Sequence, residues 1–361
     1  MNWIKKIAGS FSYVLFLVII VAVLLEIIFR VLPTSDSLMT KPVNAENPIL
    51  KYTENREVTK QIGFNFQHVT IKRINNYGYA SDKEFREADM QTKPVISVIG
   101  DTYVEAIQLK NKDTFHAILD ENLPSYDVYP LGIDGSQMPQ YLAFAKYADE
   151  KFDPKLYVFL IITKKFDKSF YDKSFYSAIK APGFHYFDES IGLKLINYEP
   201  SFIKKLLRRS AFLRYLYLDL KLTSQLKRIF GSRATTGDNN SNKSKEFLEK
   251  GRIANERFLN GITEISLSSN IIILLDGDSE AIYSGLDKRD INKPINILFD
   301  ELGKSAKFIP NVDVIDLHNI FKGDYVSNNK KFNYDYDNHW NEHGHAVAAR
   351  ALTDKIEALK F

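Results

Sequence analysis

Five short apolar segments, separated by segments with a helical pattern, constrain the fold of this 361-residue chain most strongly. Each segment is rich in branched apolar residues, which is typical of strands that are buried on both faces. The segments are Pro94–Ile99, Tyr126–Leu131, Leu156–Thr163, Asn270–Leu275 and Val312–Leu317. The helical patterns are Phe115–Leu123, Gln140–Lys151, 244–268, 290–303 and 342–359. Strands that alternate with helices predict an α/β protein with a five-stranded parallel sheet in a three-layer α/β/α sandwich.

Composition narrows the class of protein. The chain is 45% hydrophobic and 26% charged, which is ordinary for a globular protein with a large core. Its net charge of +3 is mild, and no nucleic-acid-binding motif is present, so we expect no nucleic-acid partner. The chain has no cysteine, which excludes disulfides and thiolate metal sites.

The first 33 residues have the composition of a membrane anchor. Lys5 and Lys6 precede Ile7–Phe29, which is almost wholly apolar and long enough to cross a bilayer as a helix. This segment is longer than the apolar region of a cleaved signal peptide, and no small-residue cleavage site follows it. We expect one transmembrane helix, in contact with the bacterial inner (cytoplasmic) membrane through residues 7–29. The positive charges favour a cytoplasmic N-terminus, and therefore a periplasmic or extracellular C-terminal domain. A buried core helix is the alternative.

The pattern along the chain predicts three regions. Residues 1–33 are the anchor, residues 34–92 are a linker with edge structure, and residues 93–361 form the α/β domain. This domain contains an insertion at about 168–243, because that segment is too long for a normal crossover connection. Within the insertion, Ser201–Leu222 has a basic helical pattern. It is either a helix that lies on anionic lipid near the anchor or a lid or surface helix with a solvated basic face, and we favour the second.

Polar residues follow the first strand and precede the last helix. Gly100-Asp101-Thr102 predicts a tight turn that presents a hydroxyl and a carboxylate at the carboxyl end of a strand, where open α/β sheets bind ligands. Residues 100–106 (GDTYVEA) resemble the first motif of the SGNH/GDSL hydrolases, usually written GDSFTEG. Asp337 and His339 resemble the Asp and His that stand before the C-terminal helix of that family. The resemblance covers roughly residues 70–361.

The resemblance implies a flavodoxin-like strand order and acyl-ester chemistry without a cofactor. Thr102 takes the position of the nucleophile, His339 that of the general base and Asp337 that of the group that orients the base. Asp335 is an alternative orienting group. The spacing between Asp337 and His339 resembles the D-x-H-W form found in polysaccharide O-acetylation proteins. The implied activity is therefore ester hydrolysis or O-acyl transfer, for example of acetyl groups on a cell-surface glycan.

Two positions depart from the family pattern. Thr102 stands where the family has serine, and its extra methyl group crowds the site and restricts the rotamer. The family forms its oxyanion hole from the nucleophile's backbone N–H, a Gly after the second strand and an Asn after the third. Gly135 fits the Gly, whereas Lys164 stands in place of the Asn and would offer its ammonium N–H groups. The alternative is a non-catalytic protein of the same fold that binds a glycan or a protein partner in the same cleft.

A metal site is a further interpretation of the C-terminal motif. Asp335, Asp337, His339, His343 and His345 are close in sequence, and mixed N and O ligands hold Zn²⁺ in many proteins. Because the SGNH motif already accounts for two of these residues, we expect no metal. We expect His343 and His345 to be helix-surface or packing residues. Asn341 is in position to cap the final helix.

Overall fold

The structure, a computed structural model, describes most of the chain. The described residues are 2–36, 39–62, 66, 68–162, 169–170, 185–188, 192–202, 205, 208–220, 222, 240–335 and 338–359, with side chains from residue 13 onward except at 62, 240–243 and 266. The chain divides into two compact units. The first comprises Met1–Leu38, Glu57–Ile71 and Pro200–Thr235, and the second comprises Met39–Arg56, Lys72–Glu199 and Thr236–Phe361.

The elements follow one another in an alternating order. The strands are β1 (Arg56–Ile62), β2 (His68–Ile74), β3 (Val95–Gly100), β4 (Asp127–Gly132), β5 (Leu156–Ile161), β6 (His185–Phe187), β7 (Leu193–Leu195), β8 (Asn270–Leu275) and β9 (Val312–Asp316). The helices are α1 (Asn2–Val31), α2 (Thr102–Glu105), α3 (Phe115–Asn122), α4 (Met138–Phe152), α5 (Ala211–Arg214), α6 (Asn240–Ser266), α7 (Ser279–Tyr283), α8 (Pro294–Ala306), α9 (Leu317–Asn328) and α10 (Glu342–Leu359).

Helix α1 dominates the first unit. Its segment Tyr13–Val31 is 19 residues long and apolar enough to cross a membrane, and no other helix of the described residues meets that criterion. Most of its apolar side chains are exposed, as in Phe16 and Val18, so α1 is not the core helix that was the alternative interpretation. Strands β1 and β2 pair in a separate two-stranded sheet, and β1 begins within residues that the sequence predicts to be a linker.

A carboxylate of α1 caps the helix α5 in the same unit. Glu26 accepts hydrogen bonds from the Ser210 hydroxyl at 2.7 Å and from the backbone N–H groups of Ala211 at 3.0 Å and Phe212 at 3.2 Å. Ser210 has extended backbone angles (φ −85°, ψ 121°), and its hydroxyl accepts a bond from the Leu213 N–H at 3.1 Å. The prediction of one helix over Ser201–Leu222 is therefore wrong at Ser210, because this residue caps a new helix and leaves the helical conformation.

The second unit contains a five-stranded parallel sheet with the order β4-β3-β5-β8-β9. Strand β3 pairs with β4 on one side and with β5 on the other, so that Ser97 lies opposite both Tyr129 and Tyr157. All six residues of β3 and all six residues of β5 are buried. This order is flavodoxin-like, and the predicted fold class is confirmed.

Helices cover both faces of the sheet. On one face, Ile96 and Val98 of β3 belong to a core with Phe115 of α3, Phe321 of α9 and Leu352 of α10. On the other face, α4 packs on β3, whereas α6 and α8 pack on β8. The central layer therefore lies between two helical layers. Because every strand is parallel, all five carboxyl ends meet at one edge of the sheet.

Three helices of the sheet domain escaped the sequence prediction: α2, where the sequence predicts a turn, α7 and α9. The predicted fifth strand extended to Leu317, but Leu317 begins α9, because the Asp316 carboxylate caps that helix by accepting a bond from the His318 N–H at 2.9 Å. Helix α7 has only five residues, too few to show a helical pattern. The other predicted strands and helices of the sheet domain agree with the structure within a few residues.

Glycines at the ends of two neighbouring strands let α2 approach the sheet. Gly100 and Gly132 are paired in register, and both contact Val104 of α2. A Cβ atom at residue 132 would lie 2.5 Å from the Val104 Cβ and 2.9 Å from the Glu105 backbone nitrogen. Neither neighbour is the far end of a flexible side chain, so a larger residue at 132 would displace α2.

We expect Gly132→Ala to lower the free energy of unfolding by about 1–3 kcal/mol, because it forces a methyl group into packed backbone. Gly323→Ala in α9 is the matched control. No atom lies within 4 Å of a Cβ at residue 323, so this change should stabilise the protein by up to about 1 kcal/mol. Thermal unfolding followed by circular dichroism checks that the unfolding temperature falls in Gly132→Ala and rises in Gly323→Ala. An unfolding temperature of Gly132→Ala at or above that of the wild type would contradict the close approach.

Candidate active site

Thr102 is the first residue of α2, directly after β3. The Asp101 backbone (φ −115°, ψ −134°) turns the chain out of the strand, and its carboxylate accepts a hydrogen bond from the Tyr103 N–H at 3.2 Å. Ala106 ends α2 in the left-handed conformation and donates its N–H to the Thr102 carbonyl. Strands β4 and β5 lie on opposite sides of β3, so Thr102 lies at the point where the strand order reverses, the usual ligand edge of such sheets.

His339 is carried by residues 331–341, here called the His339 loop. The described ends of this loop pair with each other. An antiparallel bridge joins Asn333 to Trp340, and the Tyr334 N–H donates to the His339 carbonyl at 3.1 Å. Asn341 ends the loop and caps α10 by accepting a bond from the Gly344 N–H at 3.0 Å, as the sequence predicts.

The structure brings Thr102 and His339 together from positions 237 residues apart. The distance between Thr102 Oγ1 and His339 Nε2 is 2.9 Å. This distance is within the range in which a histidine acts as a general base on a hydroxyl. The hydroxyl lies on an element anchored to the sheet, and the imidazole lies on a separate loop that reaches the same edge.

Tyr103, the residue after Thr102, ties the two segments together. Its hydroxyl donates to the Asn338 carbonyl at 2.7 Å, and the Asn333 side-chain amide donates to the same carbonyl at 2.6 Å. The Tyr103 ring centroid is 5.0 Å from that of His339 and 5.1 Å from that of Trp340. The backbone before His339 is therefore held by two side-chain donors, and the imidazole packs against an aromatic ring.

The remaining predicted site residues are distributed as follows. Gly135 lies in the loop after β4 with a positive φ of 85°, a conformation that favours glycine, and its carbonyl accepts a bond from the Gln137 side chain at 3.0 Å. Asp335 pairs with Lys331 at 3.0 Å, and its side chain is 84% exposed. Asp337 and Lys164 lie outside the described residues.

The two histidines of α10 have separate partners. His343 Nε2 contacts the Asp324 carboxylate at 2.5 Å. His345 is buried, accepts a hydrogen bond from the Phe115 N–H at 3.1 Å, and burial lowers its pKa well below the usual value. Within the part of the chain that the structure describes, no three metal-ligating side chains come together.

Sequence reasoning missed Asp276, a buried carboxyl group next to the His339 loop. It follows β8 directly, and its Oδ1 accepts hydrogen bonds from the Trp340 indole N–H at 2.9 Å and the Gly277 backbone N–H at 2.7 Å. Burial raises its pKa from 3.8 to about 7, against the lowering effects of these two donors and of the Arg289 charge. The signal in the sequence was its position at the carboxyl end of a buried strand.

Buried polar residues support α2 and the turn after it. Lys72 is fully buried and donates to the Ala106 and Leu109 carbonyls at 3.1 Å each. Burial lowers its pKa to about 7, although the negative charge of Glu105 acts in the opposite direction. Glu105, in turn, accepts hydrogen bonds from the Tyr52 hydroxyl and from the Asp134 N–H. The segment that carries Thr102 is thus held by these hydrogen bonds and by its packing on the edge of the sheet.

Comparisons with known proteins give structural likeness without sequence likeness. No protein-family model matches the chain, and no curated protein matches it. Three solved structures that resemble it are a member of the lipolytic protein G-D-S-L family from Veillonella parvula, a catalytic mutant of an acetylxylan esterase from Geobacillus stearothermophilus, and TesA. Their identities to this chain are 13%, 13% and 12%, and their TM-scores are 0.37, 0.38 and 0.37. They cover 72%, 74% and 73% of this chain and 96%, 96% and 99% of their own chains. Likeness at this level does not establish a shared activity, so the chemistry has to come from the residues themselves.

We expect acid to lower the free energy of unfolding through His116 of α3, which bonds to α2. His116 is buried and donates its Nε2–H to the Val104 carbonyl at 3.1 Å, and burial lowers its pKa from 6.5 to about 3. Its contribution to stability is fully present above pH 6.5 and is lost as the pH falls toward 3, because the unfolded chain takes up the proton first. We expect His116→Gln, which keeps a donor for Val104 but does not titrate, to lose less stability than the wild type between pH 6.5 and about 4. Unfolding temperatures measured across this range check it, and parallel curves for the two proteins would contradict it.

Proposed function

We propose that this protein is a membrane-anchored acyl-ester hydrolase or O-acyltransferase in which the Thr102 hydroxyl is the nucleophile. The observation that carries the proposal is the 2.9 Å distance between Thr102 Oγ1 and His339 Nε2 at the carboxyl edge of a parallel sheet. The resemblance of residues 100–106 and of Asp337 and His339 to the SGNH/GDSL motifs gives the same two residues the same roles.

The proposed reaction proceeds in two steps. The Thr102 hydroxyl donates to unprotonated Nε2 of a neutral His339 imidazole, whose own proton is then on Nδ1. Thr102 Oγ attacks the ester carbonyl, its proton passes to His339 Nε2, and the imidazolium returns that proton to the departing alkoxide. A water molecule or an acceptor hydroxyl then attacks the acyl-threonine and loses its proton to His339. As the acyl group leaves, the His339 imidazolium returns this proton to Thr102 Oγ1 and the threonine hydroxyl is restored.

A threonine in place of serine affects both the orientation of the hydroxyl and the space for the acyl group. Its β-branch restricts χ1, so fewer rotamers compete with the one that points the hydroxyl at His339. The same methyl group takes up space that a serine would leave to the substrate. We therefore propose a preference for small acyl groups, with acetyl as the first candidate.

The supporting groups are those implied by the motif resemblance. Asp337 would orient His339, and Gly135, in a loop after the strand next to β3, would donate its N–H to the oxyanion. Lys164 would supply the charged donor in place of the usual asparagine. Each such donor is typically worth about 10²–10³ in rate.

The anchor suggests where the substrate is found. With α1 across the inner membrane and its basic N-terminus inside, the catalytic unit would face the periplasm or the exterior. Acetylated cell-surface glycans are ester substrates available there. The substrate class is therefore proposed as O-acetyl groups on glycans.

The test is acetyl-ester turnover by the full chain in detergent, with 4-nitrophenyl acetate and an acetylated xylo-oligosaccharide as substrates. His339→Ala should lower kcat by about 10²–10⁴, because general-base assistance is lost, and Thr102→Ala should abolish turnover above background. Thr102→Ser keeps the hydroxyl and removes only the methyl group, so it serves as the matched control and should remain active.

The variants also separate the two classes of function. Equal turnover by the wild type and Thr102→Ala would overturn a threonine nucleophile. Turnover by Thr102→Ser alone would show a cleft that the threonine methyl group disables. No turnover by any form, together with saturable binding of the oligosaccharide, would favour the non-catalytic binding protein.

A further inference from the structure

Asp276 accepts the one hydrogen bond that the structure describes for the Trp340 side chain. Trp340 is fully buried, and its indole Nε1 donates to Asp276 Oδ1 at 2.9 Å. An indole nitrogen is a donor only, so this bond satisfies all of its hydrogen-bonding capacity. Asp276 is itself 5% exposed and lies directly after β8, one of the buried strands of the sheet.

The hydrogen bond to Asp276 adds a directional restraint to the packing of the Trp340 indole. The Trp340 ring lies at near right angles to Tyr103 and Phe321, with centroids 5.1 and 5.3 Å away, and 6.1 Å from Phe115. These edge-to-face contacts favour a tilt between the rings but do not tie the indole to one particular atom. The bond to Asp276 is directional, and its acceptor is attached to the sheet.

The Trp340 side chain and the His339 side chain leave the same stretch of backbone. A displacement of the indole that shifts the Trp340 backbone would therefore also move the peptide that carries the imidazole. The Gly277 N–H donates to the same Asp276 oxygen at 2.7 Å, which fixes the acceptor itself. A continuous line of contacts thus runs from β8 through Asp276 and Trp340 to His339 and Thr102.

We propose that Asp276 is a positioning residue for the reaction: through the Trp340 indole it sets the distance between His339 Nε2 and Thr102 Oγ1. The proposal rests on the proposed function, because positioning matters only if this pair reacts. Asp276 does not touch the reacting atoms, and its effect is transmitted by Trp340.

The two hydrogen bonds that Asp276 accepts do not require a carboxyl group. An asparagine would accept both hydrogen bonds without placing an ionisable group in the core, where a charge is costly. An ionised acceptor forms the stronger bond to the indole. The negative charge of Asp101 disfavours ionisation of Asp276, and the positive charge of Arg289 favours it. With a pKa of about 7, Asp276 changes ionisation near neutral pH.

Three substitutions in the full chain test the proposal. Asp276→Ala and Trp340→Phe each remove the bond, and we expect kcat for 4-nitrophenyl acetate to fall by about a hundredfold with KM unchanged, because a misplacement of about 1 Å is enough for such a loss. Asp276→Asn keeps an uncharged acceptor and should give a kcat between those of Asp276→Ala and the wild type. Asp313→Asn, an aspartate of β9 that pairs with Lys355, is the matched control and should keep the wild-type kcat.

Two spectroscopic readouts do not depend on turnover. The chain has two tryptophans, so Trp3→Phe leaves Trp340 as the only tryptophan, which can be excited selectively at about 295 nm or above, on the order of 15 nm beyond the tyrosine band. Its fluorescence should then titrate near pH 7, and Asp276→Asn should remove this transition. In ¹⁵N-histidine NMR, the ring signal of His339, identified by its loss in His339→Ala, should shift in Asp276→Ala and Trp340→Phe but not in Asp313→Asn.

The outcomes separate this proposal from the proposed function. Wild-type kcat in a folded Asp276→Ala or Trp340→Phe variant, or an unmoved His339 signal, would overturn the positioning role. If the wild type turns over no ester, the His339 signal still decides the positioning role. If Asp276→Ala does not fold, Trp340→Phe and the kcat of Asp276→Asn relative to the wild type decide it.

Discussion

The burial of β3 between β4 and β5 is the constraint on which the rest of the structure depends. Because every residue of β3 and β5 is buried, β3 cannot change its register without exposing apolar side chains. Its carboxyl end is therefore fixed where the strand order reverses. The paired glycines 100 and 132 bring α2 against that edge, and Thr102 takes its position from the sheet. Only the His339 loop has to be brought to it.

The buried side chains that donate hydrogen bonds to α2 and to the turn after it are needed because α2 is only one turn long. One helical turn leaves most of its backbone carbonyls without intrahelical partners, and burying them unpaired would be costly. Lys72 supplies donors to the turn after α2, and His116 supplies one to Val104. A longer helix would satisfy more of these carbonyls through its own hydrogen bonds. The buried basic groups are thus a consequence of the shortness of α2.

The sequence predicted the parts of this structure that depend on local pattern. The five strands, their parallel arrangement and the main helices follow from apolar runs and their spacing. The pairing of Thr102 with His339 was predicted from motif resemblance and not from spacing, since 237 residues separate them. Asp276 was missed because its bond to Trp340 joins residues 64 apart, and no local pattern marks a buried carboxyl group as an acceptor. The break at Ser210 was missed for the same reason, since its partner Glu26 lies 184 residues away.

The hydrogen bonds of Glu26 link the helical phase of α1 to the insertion. Successive residues of an α-helix are rotated by about 100° and advance by about 1.5 Å. Inserting or deleting one residue of α1 before Glu26 would therefore rotate the Glu26 carboxylate about the helix axis relative to the part of α1 that precedes the change. The segment that α5 recognises is therefore a specific face of α1, and an unrelated apolar helix would not replace it. A fragment that starts after α1 leaves the Ser210 hydroxyl and the first N–H groups of α5 without their acceptor. In this protein the apolar N-terminal helix is part of the folded structure as well as a candidate anchor.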